Sequence, residues 1–234
     1  MRLKEKIALV TGASRGIGRA VALKLAEEGA HVVAVARTVG GLEELDDQIR
    51  AKGGSATLVP LDLLDPTGIE QLGTKLYERY RRLDVLVGNA ALLGTLSPLG
   101  QIDPKVWDEV MNVNVTCNWR LIRVFDPLLR QSDAGRAIFV TSGASAGTLP
   151  YFGLYAASKA ALEAMVKTWA GEITKTKIKA NLLSPGVVRT AMRAHAFPGE
   201  DPMTLTPPEA IAEKFIELAL PSCQRHGEVV RAQG

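Results

Sequence analysis

Two textures of apolar residue alternate along the chain. Short unbroken apolar runs occupy residues 6–10, 31–36, 56–61, 85–87, 137–141, 178–183 and 228–231. Between them, apolar side chains recur every three or four positions, as in Ile17, Val21 and Leu25, or Leu42, Leu45 and Ile49. The first texture predicts strands and the second amphipathic helices, over 16–28, 42–52, 68–81, 104–130, 153–175 and 208–220. A strand with no polar alternation needs cover on both faces, which in an alternating strand–helix order means a parallel sheet. Right-handed crossovers then give an α/β fold: one doubly wound Rossmann sheet of about seven strands with helices on both faces. No linker or repeat interrupts residues 1–234, which are expected to form a single domain. The least regular stretch is 185–208, rich in Pro and short polar residues. Such a long irregular segment in a compact domain predicts a binding loop.

Composition narrows the function. Length 234 and 47% hydrophobic content suit one large core. Twenty-eight Lys and Arg against twenty-five Asp and Glu give +3, without a basic stripe, and aromatics are only 5%. Nucleic acid is therefore not an expected partner. No apolar run approaches the ~20 residues needed to span a bilayer, and the charged start predicts no signal peptide. Cys117 and Cys223 stand in no motif and fit a reducing, cytoplasmic setting. His31, His195 and His226 lack metal-ligand spacing, so no metal is expected.

Chemistry enters at two places. Residues 11–18 read Thr-Gly-Ala-Ser-Arg-Gly-Ile-Gly, directly after a strand and opening a helix. Gly12, Gly16 and Gly18 remove side chains where a pyrophosphate must approach helix N–H groups. The second strand ends at Ala36-Arg37, where an NAD-binding chain would carry a carboxylate for the ribose 2′-hydroxyl. Arg37, with Arg15 in the loop, instead attracts a 2′-phosphate, which predicts NADP(H) over NAD(H).

Far downstream, Tyr155 and Lys159 lie four residues apart, one turn along a helix face, and Ser142 precedes the tyrosine by thirteen residues. Lowering a phenol from pKa ~10 to near neutrality takes about 4 kcal/mol. An ammonium ~4–5 Å away supplies about 3–4 kcal/mol at an effective dielectric of ~20. On this arithmetic Lys159 nearly suffices, and a positive nicotinamide adds more.

These residues resemble the short-chain dehydrogenase/reductase family in its single-domain form, over nearly the whole chain. The resemblance implies a cofactor loop at Gly12, Ser14, Arg15, Gly16, Ile17 and Gly18. It implies adenine contacts at Asp62 and Leu63, and a strand brace at Asn89, whose Asn-Ala-Ala departs from the family's Asn-Ala-Gly. It implies a nicotinamide segment at Pro185, Gly186, Val188 and Thr190. The catalytic set it implies is Asn114, Ser142, Tyr155 and Lys159, with Ser142 steadying the substrate oxygen and Tyr155 as general acid. Lys159 would hold the nicotinamide ribose and relay protons with Asn114. Residues 132–135 and 196–202 are similar to the YciK-type bacterial branch, which fixes no substrate. Cys117 replaces a small glycine frequent in the family, and is expected to alter packing only.

The expected activity is reduction of a ketone or aldehyde, or oxidation of a secondary alcohol. Residues 189–206 are expected to form a substrate lid that Met192, Phe197 and Met203 could line, with Arg193 able to meet an acidic group. His195 is expected to be a solvated residue of that lid rather than a lining one, and Tyr151 and Leu93 either border the cleft or simply pack. The alternative is an NADP(H)-binding sensor without turnover, against which both Tyr155 and Lys159 are retained. A sugar epimerase would need a larger substrate domain. Trp107, Trp119 and Trp169 fall on the helices that the family pairs across two-fold axes, so a homotetramer or homodimer is expected.

Overall fold

The computed structural model describes residues 1–233. Seven strands lie parallel in one sheet: β1 (Ile7–Thr11), β2 (His31–Ala36), β3 (Ser55–Pro60), β4 (Val85–Gly88), β5 (Arg136–Val140), β6 (Lys179–Ser184) and β7 (Val229–Arg231). Their spatial order is β3-β2-β1-β4-β5-β6-β7. Helices α1 (Gly16–Glu27), α2 (Val39–Ala51), α3 (Pro66–Tyr80), α4 (Pro104–Met111), α5 (Cys117–Arg130), α6 (Gly153–Glu172), α7 (Ala191–Ala196) and α8 (Pro208–Ala219) connect them.

The unbroken apolar strands serve two cores at once, because successive side chains point to opposite faces. Ala8, Val10, Val32 and Ala34 face α1, α2 and α8, whereas Ile7, Leu9, Val33 and Val35 face α3, α5 and α6. β1 pairs with β2 in the register Ile7↔His31 to Thr11↔Val35, and with β4 from Ala8↔Val85. The chain therefore winds outward in both directions from β1 and β4. The carboxyl ends of these two strands bound the crevice where open α/β sheets bind ligands.

Two predicted segments differ from what forms. The helical stretch expected over 104–130 forms with a π-turn at Asn112–Thr116 between α4 and α5, around the asparagine where the family resemblance implies a kink. An inserted residue rotates the apolar stripe by about 100° without changing its period, so spacing alone reads as helix on both sides of the turn. The segment 185–208 is also more ordered than its composition suggests. It holds α7, capped by the Thr190 hydroxyl accepting from the Arg193 N–H, and a 3-10 turn at Pro202–Thr204. Its ends are fastened together by the Val188↔Thr206 bridge and by the Arg189 N–H donating to Thr206 O at 2.9 Å.

The histidines are structural where they are bonded. His31 contacts Ser55 Oγ, Thr57 Oγ1 and Tyr80 Oη. His226 accepts from the Ala180 N–H through Nδ1, which leaves Nε2–H to donate to Ala170 O at 2.8 Å. Trp169 packs in the core, edge-on to Phe139. Trp119 is 46% exposed, under the Arg123 guanidinium.

Candidate active site

A cleft of about 620 Å³ opens over the carboxyl ends of β1, β4 and β5. It runs from the glycine loop and Arg37 at one end to Tyr155, Met192 and Phe197 at the other.

At the first end the backbone does the shaping. Gly12 (φ +66°) and Gly16 (φ +56°) hold left-handed conformations that favour glycine. Gly18 lies behind the loop and outside the cleft lining. A Cβ there would sit 2.2 Å from Gly12 O, so its glycine lets α1 pack against the loop. No side chain caps the N-terminus of α1, so its first N–H groups are left for a ligand. Asn89 donates from Nδ2 to Thr11 O (2.9 Å), binding β4 to the start of the loop. Thr11 joins in, its hydroxyl accepting from the Asn89 and Ala90 N–H groups (3.0 and 3.1 Å). A threonine closing the first strand before the glycines was the only sequence mark of that role. Ser14, Arg15, Ile17, Arg37, Asp62, Leu63, Pro185, Gly186, Val188 and Thr190 also line the cleft. Arg37 is largely exposed, its Nη1 3.9 Å from Asp62 Oδ2. The Cys117 thiol is buried and donates to Leu63 O at 2.8 Å, so it does more than fill space. Burial pushes that thiol up to about 11.

At the second end, α6 faces the exit of β5. Lys159, 1% exposed, donates from Nζ to Val140 O at 2.8 Å and lies 5.7 Å from the centre of the Tyr155 ring. Ser142 opens a 3-10 turn at Gly143–Ala146, its Oγ accepting from the Ala144 N–H. Asn114 sits in the π-turn, fully buried behind the cleft. Its Nδ2 donates to Leu92 O (2.8 Å) and Ser158 Oγ (2.9 Å), and its Oδ1 accepts from the Leu92 N–H (2.8 Å). The Asn114 amide is thus committed to tying the loop after β4 onto α6, and both of its hydrogens are used.

The electrostatics correct the simple ammonium–phenol arithmetic. Burial pushes the Tyr155 hydroxyl up to about 12, offset in part by the neighbouring Ser142 hydroxyl. Burial pulls Lys159 down to about 8. Removing both groups from water penalises phenolate and ammonium alike. A further positive charge beside the pair would favour the phenolate.

The residues of 189–206 sort partly as expected, with His195 exposed and outside the cleft. Met192, Arg193, Phe197 and Leu93 line the cleft, whereas Met203 is 78% exposed. His195, Met203 and Tyr151 are not part of the lining. Arg193 is not free for a substrate acid: it makes a two-pronged pair with Glu200 (2.6 and 2.7 Å) and stacks on Phe197, 3.7 Å from the ring centre. Phe197 in turn stacks on Phe152, ring centres 5.7 Å apart. Phe152, just ahead of α6, went unnoticed in the sequence because its partner is 45 residues away. Among the described residues, no cluster of His, Cys, Asp and Glu could hold a metal ion, and no helix is long and apolar enough to cross a membrane.

A glycine-shaped cradle on one side and a buried Tyr–Lys pair on the other belong together in one class of protein. The short chain dehydrogenase family profile matches residues 6–201, and the chain belongs to that family of oxidoreductases. Among individual relatives, the oxidoreductase YciK of Escherichia coli (strain K12) is 39% identical over 219 residues, 92% of this chain and 86% of that protein. A short chain dehydrogenase from Shigella flexneri 2a str. 301, solved complexed with NADP, superposes with a TM-score of 0.95 at 37% identity, covering 100% of this chain and 99% of that one. Another, from Escherichia coli CFT073 and complexed with NADPH, gives 0.93 at 38% identity, covering 100% and 98%.

Proposed function

We propose that this chain is an NADP(H)-dependent reductase of ketones or aldehydes. The observation that carries the reading is the position of Tyr155, on the cleft side of α6 over the buried Lys159, in the same crevice as the glycine cradle. The uncapped α1 N-terminus and the two left-handed glycines suit a pyrophosphate. Ala36 leaves room at the end of β2, and Arg37 and Arg15 line the cleft there, which suits a ribose 2′-phosphate. The complexes of the two neighbours with NADP and NADPH support this choice.

Bound NADPH would supply the hydride and, once oxidised, a positive charge that favours the Tyr155 phenolate. The chain's own residues do the rest. Ser142 donates a hydrogen bond to the carbonyl oxygen as negative charge grows there. Tyr155 delivers its proton to that oxygen as general acid. Lys159, one helical turn from Tyr155, would hold the nicotinamide ribose and stabilise the phenolate. Asn114 holds the loop after β4 against α6, which keeps Leu92 and Tyr155 in fixed relation. Phe197, Met192 and Leu93 give the carbonyl's substituents an apolar wall.

A panel of carbonyl compounds followed by NADPH absorbance tests the reading. At least one ketone or aldehyde is turned over, with a KM for NADPH at least tenfold below that for NADH. Tyr155→Phe lowers kcat by about 10³-fold while NADPH still binds, as read by its fluorescence. An active Tyr155→Phe variant, or equal use of NADH, overturns the assignment.

A further inference from the structure

The exit of β5 and one face of α6 are stitched together residue by residue. Tyr155, Lys159 and Glu163 follow each other at one-turn intervals, ~6 Å apart along α6. Opposite them stand three consecutive residues, Val140, Thr141 and Ser142. Lys159 donates to Val140 O. Thr141 Oγ1 donates to Glu163 Oε1 at 2.7 Å, and Ser145 Oγ donates to the same oxygen at 2.7 Å. The other carboxylate oxygen accepts from Lys167 Nζ at 3.1 Å, near the surface. A single oxygen of Glu163 therefore holds the residue before Ser142 and the residue three after it.

Resting on the reductase reading, we infer that Glu163 is the positioning residue for Ser142: its carboxylate pins both sides of the turn that aims the serine hydroxyl at Tyr155. Glycines loosen the turn at two positions. A Cβ at Gly143 or at Gly147 would meet nothing within 4 Å, and Gly147 is left-handed. The turn's remaining hydrogen bonds run from the Ser145 N–H to Ser142 O, from the Gly147 N–H to Ala144 O, from the Ala144 N–H to Ser142 Oγ and, at its root, from the Thr141 N–H to Leu183 O. Of these only the last reaches outside the turn. Without the carboxylate, the Thr141 and Ser145 hydroxyls lose a common acceptor. Ser142 then becomes free to drift by a fraction of an ångström. A misplacement of ~1 Å in a reacting group can cost ~10²-fold in rate.

The test compares Glu163→Ala, Glu163→Gln and Lys167→Ala on the full chain. With a carbonyl substrate from the NADPH panel, Glu163→Ala lowers kcat tenfold to a hundredfold, on the order expected for such misplacement. The KM for NADPH stays within about twofold, since the glycine cradle is untouched. Glu163→Gln recovers kcat to within about threefold of wild type, because its amide oxygen accepts both hydroxyls. Lys167→Ala behaves as wild type. Hydrogen exchange, measured without cofactor, gives an independent readout: the Ser145 and Gly147 amides exchange faster in Glu163→Ala and at the wild-type rate in Glu163→Gln. The inference is overturned if Glu163→Ala keeps kcat within threefold of wild type, if Ala and Gln variants are equally impaired, or if exchange is unaltered. A wild-type protein that reduces no carbonyl counts against the reductase reading instead, and the exchange rates still decide the role of Glu163. Should Glu163→Ala not fold, the double variant Thr141→Val/Ser145→Ala removes the same two bonds and is held to the same outcomes.

Discussion

Lys159 is an ammonium kept where water would serve it better. Its pKa falls from 10.5 to about 8 on burial, so between those values the unfolded chain holds a proton that the native state releases. Protonation of Lys159 therefore opposes folding, fully below pH 8 and not at all above 10.5. At ~1.4 kcal/mol per pH unit the penalty is about 3 kcal/mol. Tyr155 has the opposite sign: its proton is retained more firmly in the fold, a stabilisation present below pH 10 and lost as pH rises through about 12. A Lys159→Met variant keeps the stem and drops the charge, but also drops the bond to Val140 O. It is expected to be more stable than wild type at pH 7 by about 1–3 kcal/mol and inactive. Urea unfolding at pH 7 and pH 10 checks this; the gain should shrink toward pH 10. The spacing of Tyr155 and Lys159 was legible in the sequence, because four residues is a helical turn. The desolvation of both was not, because it comes from residues brought over them by folding.

Secondary-structure elements decide how the site is walled. The π-turn between α4 and α5 carries Asn114 inward, where it bonds loop and α6 together. Nothing in the apolar period of 104–130 marks that turn; only the family resemblance pointed to Asn114. Helix α7 was missed for a related reason, since six residues is too short to show a period. Yet it sets the far wall of the cleft through the stack of Arg193, Phe197 and Phe152. Phe197→Ala is expected to raise the KM for the carbonyl substrate at least fivefold, leaving the KM for NADPH unchanged. Steady-state kinetics with each substrate varied in turn makes the comparison. An aromatic contact of this kind is worth about 0.5–1.5 kcal/mol beyond its buried area, which sets that scale.

Across the whole molecule, the sheet has one end for chemistry and one for cohesion. The parallel, doubly wound architecture was legible because unbroken apolar strands permit little else. The cohesive end was not, since it depends on buried polar groups that sequence pattern assigns to the surface. Arg136, 3% exposed at the start of β5, donates to the carbonyls of Leu220, Pro221, Cys223, Gly135 and Lys177, and burial pulls its pKa down. Arg136→Leu strips five acceptors of their donor and should cost about 2–4 kcal/mol, a fall in Tm of roughly 5–15 °C, with NADPH binding retained at 25 °C. Calorimetry and fluorescence titration separate the two effects. On the outer face of α5, exposed Trp119 and Arg123 form an aromatic and cationic patch of the kind enriched at interfaces. We propose a homotetramer or homodimer; light scattering should give a multiple of the 25.1 kDa subunit, and a monomer at micromolar concentration would count against it.

The fastening of Arg189 to Thr206 has an engineering consequence. Because both roots of that flap meet at one point, the distance its intervening residues must span is set by the anchor and not by their number. Closing a longer or shorter loop on fixed anchors changes the entropy only slowly with length. Residues 191–205 could then be transplanted from a cousin with different appetites, and the strands beneath would not register the exchange.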